Sequence, residues 1–269
     1  MSEQMSKPNL KNYRWIVVNS SGGKDSQTAL RVIVQECDRL GISRDRIVVS
    51  HQCLGRSEWQ GTLELAKAQA DHYGLRFEVS KYRNIKGQEL SLLDAVRVRG
   101  KWPAGGPRYC TSEFKRGPGA RVIVKLYRES AGDVLNVLGF RSEESPARAK
   151  KAVFSPNKRL CTRDRQVHDF LPIHEWTEAA VWASIKASGV PYHQAYDLGM
   201  NRLSCVFCIF APKSALMIAG QHNPELLSEY VAVEREIGHT FQHGRSLASI
   251  QAALAAGETA EACTSAWNM

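Results

Sequence analysis

The chain has 269 residues, 43% hydrophobic and 23% charged, the make-up of a globular protein that holds one large α/β domain or a domain plus an appendage. Lys and Arg number 36 against 27 Asp and Glu, and the formal net charge of +9 favours polyanionic partners over cationic ones. Residues 1–14 are polar with no apolar signal region, and the apolar stretch 203–220 is broken by Pro212 and Lys213. A membrane span is therefore excluded there and a cytoplasmic protein is expected.

A β-branched run at residues 15–19 predicts the first strand. Ser20-Ser21-Gly22-Gly23-Lys24-Asp25-Ser26 follows at once, and then a helix carrying Ala29, Leu30, Val32, Ile33 and Val34. Strand, glycine turn and helix start in that order make an anion cradle. The glycines let the backbone approach a phosphate, the helix N-terminus supplies a positive dipole, Lys24 adds a charge, and Ser21 and Ser26 add hydroxyls. A strand at 47–49, a helix at 62–73, a strand at 75–79 and a helix at 90–98 come next. Residues 99–107 are dense in Gly and Pro and predict a loop. A helix at 120–128 and a strand at 134–138 complete the alternation. The fold class is therefore α/β, a doubly wound parallel sheet with ligands beyond the strand carboxyl ends. Loops 20–26, 50–55 and 139–148 should meet there. Beyond residue 151 the pattern changes to a strand within 165–173 and helices at 176–188 and 224–237.

The Ser21–Ser26 sequence lacks Walker spacing and resembles the PP-loop of adenine nucleotide alpha-hydrolase-like enzymes, among them ATP pyrophosphatases, tRNA thiolation enzymes and sulfonucleotide reductases. Gly139-Phe140-Arg141-Ser142-Glu143-Glu144-Ser145-Pro146-Ala147-Arg148 is similar to an element of phosphoadenosine phosphosulfate reductases and their relatives. Its two arginines bind phosphate or sulfate oxygens bidentately. Arg108-Tyr109-Cys110-Thr111, with Lys115 four residues on, resembles a third element of the same family. Thr111 stands where cluster-bearing adenylyl-sulfate reductases have a second cysteine. Leu54-Gly55-Arg56 replaces the usual opening of the family's segment before Glu58-Trp59. The resemblance spans residues 15–210.

Seven cysteines, an odd number, argue against a disulfide framework in a cytosolic setting. Cys205-Val206-Phe207-Cys208 has the spacing for two thiolates on one metal, or for a redox pair. Cys110 and Cys161, taken to lie in loops, are the remaining candidate ligands. An all-sulfur site among basic residues favours a [4Fe–4S] cluster. Zinc with His168 or His193 in place of one cysteine is the second choice, and unmetallated thiols the third. Cys263 lies in Glu261-Ala262-Cys263-Thr264-Ser265, without the Gly and His that accompany the reductases' nucleophilic cysteine.

The domain expectation is an N-terminal tail at 1–14, a PP-loop nucleotide-binding core at 15–150, and a lid and helical region with the metal cysteines at 151–269. What the resemblance implies is an ATP pyrophosphatase acting in sulfur incorporation, with Lys24, Asp25, Arg141 and Arg148 in catalysis. Residues Ser21, Gly22, Gly23, Lys24, Asp25, Ser26, Gly139 and Arg141 would hold ATP, with Mg²⁺ bridging its phosphates and Asp25 lying just outside the metal's own ligands. A nucleic acid, DNA or tRNA, is the expected acceptor, and a cysteine desulfurase the expected sulfur donor. A sulfonucleotide reductase and a non-catalytic nucleotide- or nucleic-acid-binding subunit are the alternatives.

Overall fold

The computed structural model describes residues 7–106, 108–265 and 267. Residues 1–6 of the expected tail, Pro107 of the breaker-rich loop, and residues 266, 268 and 269 lie outside the described residues. The chain forms two units, both discontinuous in sequence. The first comprises Met1–Gln52, Gly61–Ser80 and Pro118–His193; the second comprises Cys53–Gln60, Lys81–Gly117 and Gln194–Met269.

The first unit is built on a sheet of order β3-β2-β1-β4-β6-β5. Its strands are β1 (Trp15–Ser20), β2 (Ile47–Gln52), β3 (Arg76–Ser80), β4 (Val134–Val137), β5 (Phe154–Pro156) and β6 (Val167–Phe170). Every pairing is parallel except β5 with β6, and the register sets Val18 beside Val49 on one side and Val137 on the other. The β1 strand is buried on both faces, which is why it reads as an unbroken apolar run. Ile16 and Val18 pack with Leu30, Ile33 and Val34 of α1 (Lys24–Leu40). Trp15 and Val17 face Val122, Ile123 and Leu126 of α5 (Gly117–Glu129). Helices α2 (Thr62–His72), α6 (Pro146–Ala149) and α7 (Glu178–Ser188) complete this unit. Among the described residues no helix is long and apolar enough to cross a membrane.

The second unit is helical. It contains α3 (Leu92–Arg99), the single turn α4 (Tyr109–Thr111), α8 (Lys213–His222), α9 (Pro224–Ile237) and α10 (Leu247–Ala255). Trp102, Phe207, Tyr230 and Phe241 form its aromatic centre, with Trp102 and Tyr230 stacked at 5.5 Å.

Three expectations about organisation change. The boundary near residue 151 gives way, because β5, β6 and α7 belong to the sheet unit, where Val167 is fully buried against β4. The helical unit is not purely C-terminal, since Leu54, Trp59, Leu92, Val96 and Phe114 enter its core from two earlier segments. The chain before residue 15 is not merely a tail either: Leu10 and Tyr13 are buried with Ile16 and Val18.

Candidate functional site

The strand order places β1 between β2 and β4, whose connections leave in opposite directions, and ligands of doubly wound sheets bind at that reversal. At the carboxyl end of β1 the chain turns through Gly22, whose φ of 70° is left-handed, and Gly23 caps α1 in an extended conformation. Hydroxyls fix the corner. Ser26 Oγ donates to the Gly23 carbonyl at 2.9 Å, the Ser21 N–H donates to Ser26 Oγ at 3.2 Å, and the Gly22 N–H donates to Ser20 Oγ at 3.3 Å. The positive end of a 17-residue helix thus heads the turn.

Charge collects around that corner. Lys24 is 2% exposed, and its Nζ lies 3.8 Å from Asp25 and 3.5 Å from Glu178. Arg141 Nε donates to Asp25 Oδ1 at 2.6 Å while its Nη1 donates to Glu143 at 2.6 Å. The Arg141 N–H donates to Glu144, which also pairs with Arg148, and the Arg148 guanidinium stacks 4.3 Å from the Phe140 ring. Burial pulls the Arg141 guanidinium down, but Asp25, Glu144 and Glu178 outweigh it and hold the group above its ordinary value. It is a fixed cation.

The residues named from sequence therefore meet: Ser21, Gly22, Gly23, Lys24, Asp25, Ser26, Gly139 and Arg141 share the corner, with Arg148 set back behind Glu144. Asp25 and Glu178 face Lys24 or Arg141, and Glu143 and Glu144 face Arg141 or Arg148, so these carboxylates are engaged by cations and an Mg²⁺ arriving with ATP would be held on the phosphates. Asp25 orients Arg141. Ser20 and Glu143 fall in the expected loops without a role assigned to them, and for Glu178 the sequence holds no signal, since it lies on α7.

In the second unit Cys110, Cys205 and Cys208 are half-buried beside the partly buried Lys115. The Cys205 loop is fixed by a bridge to Glu58 and by the Val206 N–H donating to the Ser57 carbonyl at 2.9 Å. Lys115 is held above its ordinary value, first by Cys205 and further by Cys208, Glu58 and Cys110, against the opposing effect of burial. Burial pushes the Cys205 thiol up to about 12, opposed by Lys115, and raises Cys208 as well. Cys110, Cys205 and Cys208 pack against one apolar cluster, and sulfur side chains are the donors an iron–sulfur cluster takes.

Cys110 lies in α4 and not in a loop as expected. The following residues, Ser112–Arg116, form a π-helical turn. In a regular helix Lys115, five residues on, would point about 140° away from Cys110. The wider turn brings the fifth residue back toward it. Cys161 sits in the first unit, where its Sγ donates to the Val167 carbonyl and accepts the Val167 N–H at 3.4 Å. The histidines weighed for zinc are engaged there too: His168 stacks on Phe154, and His193 bonds Thr62. Cys37 is buried in α1.

A glycine turn at a helix N-terminus, set at the reversal point of an α/β sheet, is where doubly wound folds seat anionic ligands. The chain belongs to the phosphoadenosine phosphosulfate reductase domain family, which matches residues 15–211. It is 29% identical over 179 residues to a 37.8 kDa protein in the gpa 5′ region of Escherichia phage 186, covering 64% of this chain and 53% of that one. Adenosine 5′-phosphosulfate reductase of Allochromatium vinosum is 25% identical over 147 residues, 55% of this chain and 52% of the relative. The chain spans about half the length of the curated relatives it matches. The U34-tRNA thiolase NcsA from Methanococcus maripaludis, solved with its [4Fe-4S] cluster, shares the fold. Its TM-score is 0.51 at 14% identity, over 96% of this chain and 78% of that chain.

Proposed function

We propose that the chain is a PP-loop ATP pyrophosphatase of sulfur incorporation, which adenylates a nucleic-acid acceptor before sulfur is transferred to it. The observation that carries the reading is the Ser21–Ser26 corner backed by Lys24 and Arg141, two buried cations at a helix N-terminus. The corner would hold the ATP phosphates. An acceptor oxygen attacks the α-phosphorus, the bond to the β-phosphate oxygen breaks, and pyrophosphate leaves. Hydrosulfide, released from a desulfurase persulfide by a reducing thiol that ends as a disulfide, then attacks the activated atom. The bond to the adenylated oxygen breaks as AMP leaves carrying that oxygen. Lys24 and Arg141 offset the charge that develops on the phosphate oxygens.

Cys110, Cys205 and Cys208 would hold a [4Fe–4S] cluster, with Lys115 balancing the thiolate charge. When bound, such a cluster supplies iron able to carry sulfur. A cysteine desulfurase as sulfur source and a cytoplasmic setting belong to the same reading. The direct test is pyrophosphate release from ATP by the reconstituted protein with DNA or tRNA present. ATP that binds but yields no pyrophosphate under any acceptor would overturn it.

A second reading, sulfonucleotide reduction, is favoured by the 25% identity to the Allochromatium vinosum enzyme. Against it, Cys263 is 3% exposed within the apolar core of the helical unit, and its N–H donates to the Gly199 carbonyl at 2.8 Å. A thiol seated there is not presented for attack on a sulfonucleotide. Thioredoxin-dependent release of sulfite would reverse the preference.

A further inference from the structure

On α5, Arg121, Lys125 and Arg128 recur at i, i+4 and i+7 and are all exposed, while Val122, Ile123 and Leu126 are buried beneath them. The helix runs against the strand direction. A β-carbon on Gly119 would lie 3.4 Å from Gln52 at the carboxyl end of β2, whereas the Ser130 carbonyl accepts from Trp15 Nε1 at the amino end of β1. The stripe therefore descends from the edge that carries the anion corner.

A second basic segment joins it. Residues 157–166 are fastened to α5 by the Tyr127 hydroxyl donating to the Asp164 carbonyl at 3.1 Å, by Arg165 stacking on Tyr127 at 5.3 Å, and by Leu160 packing in the cluster of Val122 and Leu126. That segment exposes Lys158, Arg159 and Arg163. At the lower end Arg14, also exposed, donates to Ser130 Oγ. Of the nearby carboxylates, Glu78 and Glu129 are bonded to Lys125 and Arg76, and Asp133 and Asp164 remain. Cations dominate the face. An open depression of about 600 Å³ lies along it, lined by Ala120, Arg121, Val124, Lys125, Arg128 and Glu129.

We infer that this face of α5 and the 157–166 segment is a docking surface for the sugar–phosphate backbone of a double-helical nucleic acid. From Arg121 to Arg128 the stripe spans about 10 Å, a length over which a duplex carries about six phosphate charges. The partner is a duplex because no stacking platform is offered. The exposed large apolar side chains among the described residues are Val79, Ile85, Val98 and Tyr192, and none belongs to α5 or to 157–166. Single strands are held largely on exposed rings. Arginines and lysines without such rings read the backbone and fix register, not sequence.

The inference rests on the nucleic-acid acceptor reading, and its test separates the two. Binding of labelled DNA and RNA duplexes of about 20 base pairs is measured from about 50 to 200 mM salt. The parent protein is compared with Arg128→Gln/Lys158→Gln/Arg163→Gln and with a control of equal charge loss, Lys11→Gln/Lys86→Gln/Lys186→Gln. The stripe variant should bind a duplex about tenfold or more weakly, with a salt slope shallower by roughly two to three, and the control should bind as the parent does. Equal losses in both variants, an unchanged slope, or a parent that binds neither duplex would overturn the surface. ATP binding measured without acceptor reports on the anion corner alone. Failure there with stripe-dependent duplex binding intact would count against the enzymatic reading and leave the surface standing.

Discussion

A β-carbon added to Gly139 would lie 2.7 Å from the Asp25 carbonyl oxygen and 2.8 Å from the Ser26 nitrogen. The exit of β4 and the head of α1 touch through backbone alone, and only a residue without a side chain fits. This contact sets the loop that carries Arg141 beside Asp25. Gly139→Ala should cost about 1–3 kcal/mol of stability through overpacking and weaken ATP binding by moving Arg141. Urea unfolding and titration calorimetry check both. Unaltered ATP affinity in a destabilised variant would reduce Gly139 to a packing role.

Arg141 divides its guanidinium between Asp25 and Glu143, a fork that a lysine cannot reproduce. Arg141→Lys should keep the charge and the fold yet lose ATP affinity, while Lys24→Ala should lose about tenfold to a hundredfold, as expected for a charged hydrogen bond worth about 1.5–3 kcal/mol. Circular dichroism confirms folding, and equilibrium binding of labelled ATP measures the loss. A Lys24→Ala protein that binds ATP normally would sink the anion-corner assignment.

The central sheet was legible because β1, β2 and β4 are β-branched runs buried on both faces, and the anion corner because glycine, lysine and serine there answer a local geometric demand. Other parts were hidden for physical reasons. The β5 strand is three residues long and shows no periodicity. The α8 helix buries Ala215 through Gly220 without a polar break, so it reads only as an apolar stretch. The direction in which Lys115 leaves the helix after Cys110 depends on a π-helical turn that residue spacing does not disclose. The helical unit draws on three separated segments, and contacts such as that of Trp102 with Tyr230 leave no local trace.

Glu234 is buried at 7% exposure and organises the end of the helical unit. Its carboxylate accepts the N–H groups of Phe241 at 2.7 Å, Leu247 at 3.2 Å and Ala248 at 3.1 Å, so it caps the start of α10. Glu234→Ala strands three donors and should destabilise by roughly 2–4 kcal/mol, with Glu234→Gln recovering part of it. Thermal unfolding measures the order. A Glu234→Ala protein as stable as the parent would show that water replaces the carboxylate freely.

Burial pushes the Cys205 thiol from its usual 9.0 up to about 12. Between those values the unfolded chain loses the proton while the folded chain keeps it, so the folded state binds more protons. Stability of the metal-free protein should therefore be complete below about pH 9 and fall as pH rises toward 12. Urea midpoints under reducing conditions at about pH 8 and pH 10.5 test this, and Cys205→Ala should flatten the decline. A decline equally steep in that variant would assign it to other groups.

The same thiols decide the metal question. If Cys110, Cys205 and Cys208 hold the cluster, anaerobically reconstituted protein should carry stoichiometric iron and sulfide with a broad visible absorption, and Cys208→Ser should lose most of it. Cys161→Ser should keep its iron, since that sulfur is already engaged with both backbone groups of Val167. Lys115→Met removes the cation that stabilises the thiolates, so it should load iron more slowly and need higher pH to do so, because ligation requires deprotonated sulfur. Iron lost from Cys161→Ser and retained in Cys208→Ser would place the cluster elsewhere. Stoichiometric zinc in a colourless parent protein would replace the cluster with a structural site and remove the sulfur carrier from the proposed chemistry.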